Sequence, residues 1–229
     1  MRILLAASSY PPVTGGVETY AFEMARGLAR LGEGVTVLAR SGTRRWAEDD
    51  GTGGASVFRV RAKPLLFARY RRLVRSERPR ALFLTHRADF LGWALGTKRR
   101  RGIPVAVTVH GNEVYGHPKL PRIVGQLNAA DAVFAVSRYA AGRLAELGVR
   151  REVLRTVAHG VDPDRFSPHA APAPLPPEGG DAGPVILSLG RLRAVKGFDR
   201  MIRALPAVLA RVPGARYVVV GDGPEGGRW

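Results

Sequence analysis

An α/β fold built on a mostly parallel sheet is predicted by three features of the 229-residue sequence. Short apolar runs alternate with amphipathic stretches, the order that gives strands joined by crossover helices. Most of those runs are apolar almost without interruption, which marks strands covered on both faces. An apolar content of 45% is enough for a packed core.

The first strand is expected over 2–8 (RILLAAS). After it, Val17, Tyr20, Met24, Leu28 and Leu31 recur at helical spacing. Glu18 in the first turn suits the helix dipole, and Gly32 follows as a C-terminal cap. Further strands are expected over 35–40, 56–62, 81–86, 104–109, 132–137 and 152–158. Residues 167–184 are rich in Pro, Gly and Ala and have no periodicity, so they read as a linker between a unit over 1–166 and a second over 185–229. The second unit offers a strand at 185–190, a helix over 198–212 with Met201, Ile202, Leu205, Val208 and Leu209 as its stripe, and a strand at 216–220. A strand, a helix and a strand cannot by themselves cover both faces of a sheet.

Lys and Arg number 36 against 19 Asp and Glu, a formal charge of +17. Such a chain is drawn to polyanions: nucleic acid, an anionic membrane surface or a phosphorylated substrate. The basic residues are scattered without interleaved aromatics, so no specific nucleic-acid partner is expected. With no cysteine, disulfides and thiolate metal sites are excluded, and the five histidines lack metal-ligand spacing, so no metal site is expected. The opening apolar run is too short for a signal peptide, and no stretch approaches the roughly 20 apolar residues of a membrane span. A cytoplasmic protein is the expectation.

Four segments carry chemistry. Ser8 to Gly16 follows the first strand, and Gly15 and Gly16 allow backbone amides to approach an anion at a helix N-terminus. A glycine turn that only redirects the chain is the alternative, since the G-x-G-x-x-G spacing is missing. His110-Gly111-Asn112-Glu113 falls at the carboxyl end of the fifth strand, where open α/β sheets bind ligands; a histidine capping a strand end is the alternative. His159-Gly160-Val161-Asp162-Pro163-Asp164 reads on local grounds as a turn with Asp side chains bonding nearby amides. Gly190-Arg191-Leu192-Arg193-Ala194-Val195-Lys196-Gly197 is a strand-end loop whose Arg191 and Lys196 suit a diphosphate, one as a fork and one as a point charge. An ordinary solvated loop is its alternative.

Taken in order and spacing, GGVETYAFEMARGLARLGEGVTVLA, PVAVTVHGNE, AVFAVSRYA, HGVDPDRFSP and VILSLGRLRAVKGFDRMIRAL resemble the retaining nucleotide-sugar glycosyltransferases of family 4. The resemblance runs over essentially the whole chain. It implies a GT-B fold of two Rossmann-like domains facing a cleft, the first binding acceptor and the second the sugar nucleotide. By the resemblance, Gly15 and Gly16 form the glycine loop beside donor diphosphate and acceptor, with Asn112, Glu113 and Gly190 as further donor or acceptor contacts. His110 points at the donor sugar, and Arg191 with Lys196 holds the distal phosphate. Preorganised cations stabilise the charge of a departing nucleoside diphosphate, so neither a metal nor a cofactor other than the sugar nucleotide is expected. Retention is implied through attack on the face the diphosphate leaves, with the leaving phosphate taking the acceptor proton.

The relatives of that family continue past Gly221-Asp222-Gly223-Pro224-Glu225 into a nucleotide-binding stretch and a glutamate pair. This sequence is therefore expected to hold the acceptor-side domain and only the opening of the donor-side domain, and to show no transfer by itself. A noncatalytic acceptor-binding fragment is the alternative function. The usual Asn before Gly160 is His159 here. Finally, Phe67, Tyr70, Leu73 and Val74 share one side of a helix studded with arginines, and Lys98 to Arg101 form a second basic run. Peripheral contact with the inner face of an anionic membrane is one expectation from this, and packing of the same four residues on the sheet is the other.

Overall fold

The computed structural model describes residues 1–40, 54–87, 89–111, 114–115, 117–164, 166–169 and 183–228. These divide into two compact units, Met1–Asp162 and Pro163–Trp229. Most of the linker expected over 167–184 lies outside the described residues.

The first unit contains seven strands: β1 Arg2–Ala7, β2 Gly34–Ala39, β3 Ser56–Arg59, β4 Ala81–Leu84, β5 Val105–Val109, β6 Ala132–Ala135 and β7 Leu154–Thr156. All pair in parallel, in the order β3-β2-β1-β4-β5-β6-β7. Every expected strand is present. The two that depart most from expectation are the edges: β3 stops at Arg59, and residues Arg151–Val153 form a 3₁₀ turn before a three-residue β7. An edge strand has one pairing partner, and short edges leave less unpaired backbone exposed.

Alternation along the strands sends two sets of side chains to two cores. Ile3, Leu5, Ala7, Val35 and Val37 meet Ala21 and Ala25 of α1, Gly16–Arg30. The small alanines at the centre of α1 let its axis approach the sheet closely. Leu31, expected in the apolar stripe, is 79% exposed because the helix ends at Arg30. On the other face, Leu4, Leu38, Leu82 and Leu84 meet α2 (Lys63–Ser76), α3 (Leu91–Arg101), α4 (Leu120–Asn128) and α5 (Arg138–Glu146). Leu66, Tyr70, Leu73 and Val74 of α2 are all buried there. Of the four apolar residues read as a surface-binding set, three are thus core and only Phe67 reaches the surface. Among the described residues no helix is long and apolar enough to cross a membrane.

The second unit contains β8 Val185–Leu189, α6 Phe198–Leu209 and β9 Arg216–Val220, with β8 and β9 parallel. Phe198 is the buried residue of α6, whereas Ile202 and Leu209, both expected in the stripe, are exposed. The apolar contact therefore begins at the first residue of the helix. Leu187, Leu189 and Val220 share one sheet face by register and are 56%, 78% and 44% exposed, as a strand, helix and strand alone require.

Candidate functional site

Because every strand of the first unit runs the same way, all loops that follow strands gather at one edge of the sheet. The chain moves outward from β1 to β2 and β3, then returns to place β4 on the other side of β1. This reversal is a topological switch point, where the two loops diverge and leave a crevice. Residues 8–15 after β1, Thr85 and His86 after β4, His110 after β5, and His159 after β7 belong to this edge.

Three of these loops meet α1 in one aromatic cluster. Tyr20, on the first turns of α1, lies 5.1 Å from His110 in an edge-to-face arrangement and 4.8 Å from His159 in a stack. His110 is 5.5 Å from His159 and 6.2 Å from His86 between ring centroids. The Tyr20 hydroxyl reaches Thr108 Oγ1 at 2.9 Å, fixing the phenol against β5. Burial pushes the Tyr20 hydroxyl above its ordinary range, so it stays a neutral hydrogen-bonding group.

His110 Nε2 stands 2.8 Å from the carbonyl oxygen of Thr85. A carbonyl only accepts, so Nε2 carries the hydrogen, and in the neutral ring the lone pair lies on Nδ1. Arg26 holds the far side of the cluster in place by pairing with Glu23 at 2.9 Å and with Asp162 at 3.2 Å, which ties the segment carrying His159 to α1.

Burial lowers the His159 pKa below its ordinary 6.5, and the neighbouring positive charge available at His110 lowers it further. A histidine with a depressed folded pKa binds fewer protons folded than unfolded. Its contribution to stability is therefore present above pH 6.5 and is lost as pH falls through the lowered value. An imidazole NMR titration is expected to give a His159 midpoint below 6.5, moving upward in His110→Gln; a midpoint indifferent to that change would remove the coupling.

The glycine loop sits at the start of α1. Gly15 is its extended N-cap and has no side chain with which to cap the helix, while a Cβ on Gly16 would meet nothing within 4 Å. The first-turn amides are thus approachable from the loop side. Asn112 and Glu113 lie outside the described residues. Beside them Gly111 adopts φ 118°, and a Cβ there would come within 2.8 Å of the Tyr115 ring, so the turn after His110 needs glycine.

In the second unit, described by itself, the Gly190 amide donates to Val220 O at 2.9 Å and the Leu192 amide to Asp222 O at 3.0 Å. The two strand-end loops therefore lie backbone against backbone. A Cβ on Gly221 would fall 1.9 Å from the Gly190 oxygen, and one on Gly223 would fall 2.5 Å from the Leu192 oxygen. Ala194–Lys196 form a 3₁₀ turn and Gly197, at φ 74°, starts α6. Arg191 and Lys196 are both exposed on this loop, at the ends of a segment of six residues.

Residues 14–165 match the family described as Glycosyltransferase Family 4. The chain belongs to that family. Among family relatives, a GDP-mannose-dependent alpha-(1-6)-phosphatidylinositol monomannoside mannosyltransferase of Mycolicibacterium smegmatis is 31% identical over 237 residues, covering 97% of this chain and 61% of its own length. A D-inositol 3-phosphate glycosyltransferase 2 of Catenulispora acidiphila is 30% identical over 253 residues, covering 93% of this chain and 58% of its own. The family 4 chain thus spans about three fifths of the curated relatives it matches. Anabaena Alr3699/HepE, solved with UDP and glucose, superposes with a TM-score of 0.72 at 19% identity over 100% of this chain and 63% of that one. The likeness is one of fold, and the fold is of the GT-B type that the sequence resemblance implied.

Within the first unit, then, the edge of the family 4 sheet unites His110 with three residues that sequence reasoning did not select. Tyr20 reads as a member of an apolar stripe, His159 as part of a turn, and His86 as the end of a strand. A usable signal exists in hindsight of topology: His86, His110 and His159 each follow the carboxyl end of a strand.

Proposed function

We propose that this family 4 chain belongs to a glycosyltransferase that moves a hexosyl group from a nucleoside diphosphate sugar to an acceptor hydroxyl, with retention and without a metal ion or further cofactor. The observation that carries the reading is His110 at the switch-point edge, its imidazole oriented by the Thr85 carbonyl and walled by Tyr20 and His159. In this reading His110 contacts the donor sugar, Gly15 and Gly16 admit the diphosphate, and Asn112, Glu113 and Gly190 complete the contacts. Arg191 and Lys196 take the distal phosphate, whose negative charge grows as the glycosidic bond breaks. The departing phosphate oxygen then accepts the proton of the acceptor hydroxyl as that oxygen bonds to the anomeric carbon on the same face, so no protein carboxylate nucleophile is required. Support for the acceptor class comes from the two relatives above, both named for inositol-bearing acceptors. We take the acceptor to be a polyhydroxylated ring of that kind.

The relatives' greater length favours a second reading for the 229 residues taken alone, acceptor binding without turnover. One experiment addresses both. The chain, alone and extended by the C-terminal segment of the mycolicibacterial relative, is incubated with α-linked nucleoside diphosphate hexoses and an inositol-bearing acceptor. The extended protein is expected to form an α-linked product in the presence of EDTA, and the unextended chain none. A β-linked product would contradict retention, and loss of turnover with EDTA would contradict metal independence.

A further inference from the structure

The basic runs around Arg71 and Lys98 lie on neighbouring helices and share a cavity. Tyr70 of α2 donates its hydroxyl hydrogen to Thr97 Oγ1 of α3 at 2.9 Å, and Arg101 donates to the Val74 carbonyl at 3.5 Å. Around these links is a cavity of about 500 Å³ lined by Arg71, Arg75, Arg100 and Arg101, with Tyr70 and Thr97 among its apolar and hydroxyl lining. Five of the fourteen residues of α2 and four of the eleven of α3 are Lys or Arg, and neither helix has an acidic residue.

Carboxylate pairing does not account for these arginines, although Arg101 bonds the Val74 carbonyl and Arg71 lies over the Phe67 ring at 5.7 Å. Among the described residues, Lys98 pairs with Asp131 at 2.9 Å, but no carboxylate pairs with Arg71, Arg75, Arg100 or Arg101. The cations do lie near the C-terminal turns of two helices, and that dipole favours positive charge. Each helix end is equivalent to roughly half a negative charge, so two ends offset about one of the four guanidinium charges. The remainder is like charge held around one concavity, and an anion with several acceptor oxygens relieves it.

We propose that the α2–α3 groove is a phosphate-binding site that takes a phosphomonoester dianion, presented by a lipid headgroup or by a free solute. Guanidinium forks match the oxygens of phosphate in pairs, and the apolar stems and Tyr70 exclude part of the water behind them. Crossover helices end where the next strand begins: α2 stops at Ser76 ahead of Ala81, and α3 at Arg101 ahead of Val105. The groove is therefore at the amino edge of the sheet, opposite the edge carrying His110, and is independent of the transfer reading.

The 229-residue protein is titrated with inorganic phosphate at matched ionic strength, with NMR following the backbone and the arginine Nε–H groups. It is also sedimented with phosphatidylcholine vesicles, with and without phosphatidic acid. The arginines chosen for variation are exposed, and circular dichroism checks that each variant keeps the fold. Shifts should centre on the C-terminal turns of α2 and α3, with affinity reduced about tenfold or more in Arg71→Ala/Arg100→Ala, the scale of losing a charged hydrogen bond. Arg71→Lys/Arg100→Lys should lie between the two, since lysine keeps the charge and loses the fork. Binding to phosphatidic acid vesicles that free phosphate reverses assigns the site to a headgroup, and phosphate binding without vesicle binding assigns it to a solute. Full affinity in the alanine or the lysine variant, shifts confined to the Arg191–Lys196 loop, or equal binding to pure phosphatidylcholine would each overturn the proposal.

Discussion

Replacing Arg191 or Lys196 by alanine in the extended chain is expected to lower kcat/KM by roughly 10²- to 10³-fold, the scale for losing one preorganised electrostatic contact to charge that develops in the transition state. Both side chains project from a loop whose backbone is fixed at Gly190 and Leu192 by bonds to Val220 and Asp222, so their positions are set before a donor arrives. The loss should fall chiefly on kcat if the cations act on the departing diphosphate, and on KM if they merely hold it in the ground state. Arg191→Lys is expected to recover part of the loss. Steady-state kinetics on the three variants measures this, and wild-type values in both alanine variants would place the diphosphate elsewhere.

Gly221→Ala is expected to destabilise the second unit by on the order of 3 kcal/mol or more, from backbone strain and overpacking together. The new Cβ would sit 1.9 Å from the Gly190 carbonyl oxygen, and the residue holds φ 154°, so neither side chain rotation nor a flexible neighbour can absorb the overlap. The loop carrying Arg191 has to move, and activity of the extended chain should fall with it. Gly227→Ala is the matched control, because a Cβ there meets nothing within 4 Å. Amide hydrogen exchange in β8 and β9 reads the effect locally; unchanged protection at Gly190 and Leu192 would show that the loops stay paired and take up the added Cβ at no cost.

The strands were legible in the sequence because a buried parallel strand has to be apolar on both faces, and runs such as Val105–Val109 or Ile3–Ala7 satisfy that with little ambiguity. Amphipathic spacing was a weaker guide. It placed Leu31 and Ile202 in buried stripes, although one sits past the last helical turn and the other, one turn beyond the buried Phe198, is 39% exposed. It also assigned Tyr20 to a core stripe, where the same period that brings it inward presents its ring to His110 and His159 at the edge of the sheet. A cluster assembled from the ends of β4, β5 and β7 depends on strand order, which no local pattern encodes. The same is true of Gly221 and Gly223, whose need for a missing side chain comes from a backbone some thirty residues earlier. Arg191 and Lys196 were legible as a strand-end loop opening a helix and suited to a diphosphate, and the family resemblance added only which phosphate they would hold.

The proposed function requires the acceptor to reach the edge formed by Tyr20, His86, His110 and His159, beside the donor sugar that His110 contacts. Adding an inositol-bearing acceptor to the 229-residue protein while following the imidazole resonances tests it most directly. Saturable shifts are expected at His110 and His159, abolished in Tyr20→Ala, with His117 and His169 unmoved. Shifts that leave His110 and His159 unchanged while other resonances of the first unit respond would contradict it.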